Sequence, residues 1–187
     1  MIGELPRSIE VNGVYRDIRT DFRDILKILV AFNDPELEDS EKIYICLFIL
    51  YEDFGDIPEK DYEAAFKAAL SFIDQGSTPD DNGAKSPRIM DWEQDETIMF
   101  PAINKVAGFE TRAAEYIHWW TFMGYYMEIS DGVFSQVLSM RSKKAQHKKL
   151  EKWEREYWSA NKHICVLATK LTAEEQAAKD RLNALLG

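Results

Sequence analysis

The chain is poor in the residues that most reactive sites require. It has two cysteines and three histidines in 187 residues. Cys46 and Cys165 each lie inside an apolar run, a placement that fits neither a disulfide framework nor a zinc site. They read as buried free thiols of a reducing cytoplasm. His118, His147 and His163 are dispersed and suggest no nucleophile triad. Neither a P-loop nor a Gly-x-Gly-x-x-Gly is present. No stretch approaches the roughly 18 uninterrupted apolar residues of a membrane-spanning helix. The start, Met-Ile-Gly-Glu-Leu-Pro, has no basic region followed by an apolar one, so no signal peptide is expected. Positive charge is also scarce. With 23 basic and 33 acidic side chains the formal charge is −10, which argues against a general nucleic-acid binder.

What is present is apolar mass. Apolar residues make up 45% and aromatics 12%, enough to fill the core of one domain. The stretch Tyr116–Ile129 is the densest part. Trp119 and Trp120 are adjacent and so point about 100° apart on a helix, while Phe122, Met123, Tyr125, Tyr126 and Ile129 fill most other directions. A helix that is apolar nearly all round is buried on several sides or shared with another subunit.

The remaining chain reads as hairpin and helices. Apolar residues alternate through Ser8–Val11 and Val14–Ile18 around Asn12-Gly13, the strongest short signal for a β-hairpin. That hairpin must rest on the following helices or pair with another chain's sheet edge. Thr20 or Asp21 caps a helix through about Phe32, with Phe22, Ile25, Leu26, Leu29 and Val30 on one face. Ser40 opens a strongly apolar, largely buried helix through Tyr51, and Pro58 opens a third that Gly76 closes. A fourth begins at Asp91, carries Pro101 inside it and ends at Gly108. The central helix follows from about Thr111. Ser130 or Asp131 caps another helix, and Arg141–His163 reads as one long amphipathic helix with Leu150, Trp153 and Tyr157 on one face and a Glu151–Arg155 pair. Thr172-Ala-Glu-Glu175 matches a capping box for a last helix through Leu186. The expected fold is therefore mainly α, about six to seven helices with an N-terminal β-hairpin. It is expected as one domain: residues 1–75 hairpin and helices, 76–90 a flexible polar connector, and 91–187 a C-terminal helical part.

Charge is distributed unevenly. Residues 1–100 hold 10 basic and 23 acidic side chains, a balance of −13, and residues 141–170 hold nine and three, a balance of +6. Such a molecule can associate head to tail or bind a partner of either sign; two solvated helix faces would look the same. The basic run from Arg141 to Lys162, with Trp153 and Trp158, superficially resembles a nucleic-acid helix, but its periodic aromatic face is that of a packing helix.

Two constellations could carry chemistry. Glu115-Tyr-Ile-His118 has the Glu-x-x-His spacing that helical di-iron proteins use twice; here it occurs once. A helical hydrogen bond or a partly buried histidine explains it as well. Asp91, Asp95 and Glu96 read as the solvated first turn of a helix rather than as an acid–base pair. Neither a metal nor another cofactor is expected, and no enzymatic activity.

Three stretches together resemble a known family. Leu5-Pro-Arg-Ser-Ile-Glu-Val-Asn-Gly13 with Thr20-Asp21-Phe22-Arg23 resembles its hairpin-into-helix start. Met90-Asp-Trp-Glu-Gln-Asp95 with Phe100 resembles its middle motif, and His118-Trp119-Trp120-x-Phe122 with Leu150-Glu-Lys-Trp-Glu its last part. The family is that of small tail-region proteins of siphophages and prophages of Gram-positive bacteria labelled by the phage gene-product number fifteen. The resemblance runs in order over about residues 5–165 and leaves out the tail after about Leu167. It implies a tail assembly chaperone of the host cytoplasm, absent from the mature virion, which coats the tape measure protein and helps the tail tube protein assemble around it. The alternative it leaves is a structural tail or completion protein retained in the virion. Self-association is expected, with no nucleic-acid or membrane partner. The expected partner contacts are Ile9, Val11 and Val14 of the hairpin and the aromatic residues Trp92, Trp119, Trp120, Trp153 and Tyr157.

Overall fold

A computed structural model of the chain describes residues 3–76 and 87–186. It opens on the hairpin. Strands β1 (Ser8–Val11) and β2 (Val14–Asp17) pair antiparallel, with Val11 opposite Val14 and Ser8 opposite Asp17. Asn12 has φ 49° and Gly13 φ 84°, the two left-handed positions that a type I′ turn demands. The hairpin rests on its own chain. Val11 and Ile18 are buried, Ile9 packs against the same core, and Asn12 Nδ2 donates to Asp61 Oδ1 at 2.7 Å.

Helix α1 (Phe22–Phe32) is capped by Asp21, whose carboxylate accepts from the Arg23 amide at 2.9 Å. It buries Phe22, Ile25 and Ile28. Helix α2 (Asp39–Leu50) starts one residue earlier than Ser40 suggested, because a reciprocal capping box between Glu38 and Glu41 satisfies its first amides. Only one side of α2 is buried, through Cys46, Leu47 and Leu50. Tyr44 and Phe48, four residues apart and so on one stripe, are exposed, which corrects the expectation of a largely buried helix. After Pro58 a 3-10 turn (Glu59–Asp61) leads into α3 (Tyr62–Ile73), and Gly76 at φ 76° donates to Ser71 O to close it. Most of the expected connector, residues 77–86, lies outside the described residues.

The second half departs further from expectation. Helix α4 (Glu96–Ala107) begins five residues after Asp91, runs through Pro101 and ends at Gly108, φ 80°. Helix α5 (Trp119–Met127) begins well after Thr111. Residues 111–113 form a 3-10 turn, and the chain then bends at Ala114 and Glu115 and reaches His118 without helix. The reason is a pairing that competes with helix: Phe22 N donates to Ile117 O at 3.0 Å and Trp119 N to Thr20 O at 2.7 Å. The long charged helix is broken into α6 (Gly132–Ala145), α7 (Lys152–Ala160) and α8 (Lys162–Cys165). His147 sits at φ 57°, which ends a right-handed helix, and a Glu151/Glu154 capping box starts the next. Glu151 thus caps α7 instead of pairing with Arg155, which donates to Leu150 O at 2.6 Å. Helix α9 (Ala173–Leu186) begins with the expected capping box, Thr172 N to Glu175 Oε2 at 3.0 Å and Glu175 N to Thr172 Oγ1 at 3.2 Å. The described residues thus hold nine α-helices and the hairpin, a mainly α fold with more and shorter helices than expected.

Contacts run through the helices in the order α3, α2, α1, α5, α4, α6, α8, α7. The main core extends along this series. Phe22 of α1 stacks on Phe122 of α5 with ring centroids 4.3 Å apart, and Phe100 of α4 packs at 6.3 and 6.0 Å from the two. A second, smaller cluster joins Val137 and Met140 of α6 to Cys165, with Leu150, Tyr157, Trp158 and Ile164 around it. Among the described residues no helix is long and apolar enough to cross a membrane.

Candidate functional site

The residues expected to carry partner contacts fall into three places. Trp92, Trp119 and Trp120 come together beside the C-terminal end of α3. Trp119 is buried and its indole donates to Ile73 O at 2.8 Å; Trp120 is half-buried and donates to Phe72 O at 2.8 Å. Each indole N–H finds a carbonyl in the last turn of α3, Phe72 O being shared with the Gln75 amide, so burial leaves neither indole orphaned. The half-buried Trp92 ring lies 6.3 Å from Trp119 and 5.5 Å from Tyr126. It borders two open grooves. One, of about 450 Å³, is lined by Phe22, Leu26, Val30 and Phe100; the other, of about 420 Å³, by Leu29, Ile73, Trp119 and Met123. In the hairpin Val11 is buried, Ile9 half-buried and Val14 exposed. On α7, Tyr157 packs against the smaller cluster while Trp153 is exposed.

Glu115 and His118 do not share a helix face, because residues 114–118 are not helical and α5 starts only at Trp119. His118 is the N-cap of α5. Its Nδ1 accepts from the Trp120 amide at 3.0 Å, and its Nε2 donates to Pro6 O at 2.9 Å. Both ring nitrogens are therefore engaged by backbone in the neutral tautomer. Burial holds the imidazole below its ordinary pKa against the opposing pull of the Pro6 carbonyl. The histidine ties the start of the chain to α5.

Asp91 and Asp95 are not a solvated first turn, as their spacing suggested; both are buried. Arg141 of α6, itself buried, grips Asp95 with two parallel bonds, Nη1 to Oδ2 at 2.6 Å and Nη2 to Oδ1 at 2.8 Å. The same guanidinium donates to the carbonyls of Ile89, Ile164 and Cys165. Asp91 accepts from the amides of Glu93 and Gln94, pairs with Arg88 and lies 3.5 Å from Lys170 Nζ. Burial acts to raise the Asp91 pKa, but the Gln94 amide, Lys170 and Arg88 together bring it below the ordinary range. A planar guanidinium with every side saturated is a structural clip between α4, α6 and the end of α8. Lys143 and Glu154, 2.6 Å apart, form a second clip from α6 to α7.

One surface escaped the sequence reading. Tyr44 and Phe48 of α2 are 53% and 58% exposed, and their rings stack 6.1 Å apart. Phe54 meets both edge-on at 5.2 and 6.1 Å, and Tyr62 lies 5.4 Å beyond it. The i, i+4 spacing of Tyr44 and Phe48, off the Cys46–Leu47–Leu50 stripe, was the available signal.

These features define a mainly helical domain with an N-terminal hairpin, clipped internally by buried ion pairs. The chain belongs to the family described as Bacteriophage Gp15 protein, whose model matches residues 1–167. No curated protein and no solved structure matches it significantly.

Proposed function

We propose that this protein is a tail assembly chaperone. It acts in the cytoplasm of the infected or lysogenic bacterium, coats the tape measure protein in several copies, and promotes assembly of the tail tube protein around it. It then leaves, and is absent from the finished virion. The observation that carries this reading is membership of the Gp15 phage family over residues 1–167. Its surface suits the task. A tape measure is a long, largely helical chain that aggregates if left bare, and a carrier for it needs apolar docking faces that bind weakly enough to let go. The Trp92 grooves and the Tyr44–Phe48–Phe54 patch are such faces, rich in the aromatic residues that carry interface energy. The proposal includes no enzymatic step, no cofactor, and no nucleic-acid or membrane partner.

The test is co-expression with the cognate tape measure protein. The chaperone reading expects the tape measure to stay in solution in a multi-copy complex that can be pulled down. A tape measure that precipitates equally with and without this protein rejects it. Mass spectrometry of purified particles then decides retention. Stoichiometric amounts in the virion would mark a structural tail component instead.

A further inference from the structure

We infer that two copies of this chain bind head to tail, the Tyr44–Phe48–Phe54 face of one copy seating on the Trp153 face of α7 of the next. The inference deepens the multi-copy part of the proposed function and does not depend on the tape measure.

The two faces are complementary in charge. Residues 34–63, which carry the aromatic patch, hold 11 acidic and two basic side chains, a balance of −9. Glu41, Glu52, Asp53 and Asp56 are exposed directly around the patch in sequence. Two cations, Arg19 and Lys27, also line the groove beside Tyr44, Phe48 and Phe54, but Lys27 is paired with Asp24 and Arg19 is turned onto the carbonyls of Phe48, Ile49 and Tyr51, which leaves the acids to set the sign of the rim. Residues 143–162, which carry Trp153, hold seven basic and three acidic side chains, a balance of +4. One of those acids, Glu154, is buried against Lys143, and setting that pair aside leaves the balance of the face at +4. Lys148, Lys149 and Lys152 are exposed just ahead of Trp153, itself 53% exposed. Each face is thus an apolar centre with a charged rim, the anatomy of a specific interface, and the rims are of opposite sign.

Both centres also have the residue types that dominate interface energies, and while Phe54 leans on the main core, Tyr44, Phe48 and Trp153 belong to neither cluster. Tyr157 and Trp158 pack inward on the second cluster and leave Trp153 outside it. Like charge forbids either face from pairing with itself, so the contact is heterologous rather than two-fold. Helices α2 and α7 sit near opposite ends of the packing series, which leaves both faces of one copy open at once. A heterologous contact of this kind repeats, and builds a ring or a spiral.

The experiment uses the full-length chain and two variants at exposed positions. Phe48→Ser spoils the acidic face, and Trp153→Ser with Lys149→Glu spoils the basic one. Circular dichroism confirms that each is folded. Sedimentation equilibrium at low salt should show the wild type associating with rising concentration, and each variant alone associating at least about tenfold more weakly. Mixed, the two variants have one good face each. They should form a heterodimer and nothing larger. Raising NaCl from 50 to 500 mM should weaken wild-type association severalfold or more. A monomeric wild type, variants that associate as well as it does, or a mixture without heterodimer overturns the inference. Each of these results leaves tape measure binding to its separate co-expression test.

Discussion

The guanidinium of Arg141 lies flat against the carboxylate of Asp95, 46 residues earlier in the chain, with both side chains buried and two bonds of 2.6 and 2.8 Å between them. The same cation also holds three backbone carbonyls from two other segments. Removing it leaves the buried Asp95 carboxylate without its counter-charge, held only by the Asp91 amide, and takes a donor from three carbonyls. Arg141→Ala should cost about 3–5 kcal/mol, near the upper end for a single substitution. For a chain of this size that is a fall in Tm of roughly 6–20 °C. Paired with Asp95→Leu, Arg141→Met should recover part of the loss. A double-mutant cycle from denaturant melts should give a coupling of about 2 kcal/mol or more; additive losses would show the pair to be energetically idle.

His118 makes stability sensitive to pH. Its folded pKa lies below the ordinary value of 6.5, because burial penalises the imidazolium. Protonation would also place a hydrogen on the Nδ1 that accepts from Trp120. Below about pH 6.5 the unfolded chain therefore binds more protons than the folded one. The stabilisation is fully present above that value and is lost as pH falls toward the folded pKa. Tm should decline between pH 7.5 and 5.5. In His118→Asn, which keeps a cap acceptor but lacks the reach to Pro6, that decline should flatten at a cost of about 1 kcal/mol at pH 7.5. A slope unchanged in the variant would assign it to other groups.

The Cys46 thiol is pushed up to about 12 by burial, and Cys165 is raised by the same cause. Since the thiolate is the nucleophile, neither should label with maleimide at pH 8 in the native protein over an hour. Both should label within minutes in guanidinium chloride. Fast native labelling of either would mean that its cluster opens readily.

Helix α9 is exposed from Ala173 to Ala184 and lies beyond the family match. Deleting residues 172–187 keeps Lys170 and its pairs with Asp91 and Glu93. The truncated protein should melt within about 0.5 kcal/mol of the full chain, the range of surface changes. A larger loss would reveal docking of α9 on the body.

Turn and capping signals between near neighbours carry furthest, although the local Glu151–Arg155 pair is not formed. Asn12-Gly13, Asp21 and the Thr172–Glu175 box each specify their element through neighbours in the chain, and each is found as read. The start of α5 was misplaced because Tyr116 and Ile117 answer to Thr20 and Asp21, some 96 residues away, rather than to their helical neighbours. The acidic turn misled for the same reason: nothing near Asp95 announces its partner. Arg141 does carry a hint, since it continues the Phe134–Val137–Leu138 stripe and so had to be buried with a counter-charge. His147, with no glycine or proline beside it, gave no visible signal for the break between α6 and α7. Of the expected partner residues, Trp119 and Val11 are taken up by the chain's own core, while Val14 and Trp153 face outward. Aromatic content locates an interface or a core equally well, and only the tertiary contacts separate the two.

The seam between residues 20–22 and 117–119 has a consequence for synthesis. The hairpin turn and the caps of α1 and α2 lie within the first 76 residues, so these elements have their local signals as they emerge. Phe22, however, finds its stacking partner only when Phe122 has been made, a hundred residues later. Closing so long a loop costs entropy that the seam repays only at the end. A nascent chain halted before Trp119 would carry a formed but open half, with Phe22 lacking the ring it stacks on and an apolar face ready to stick.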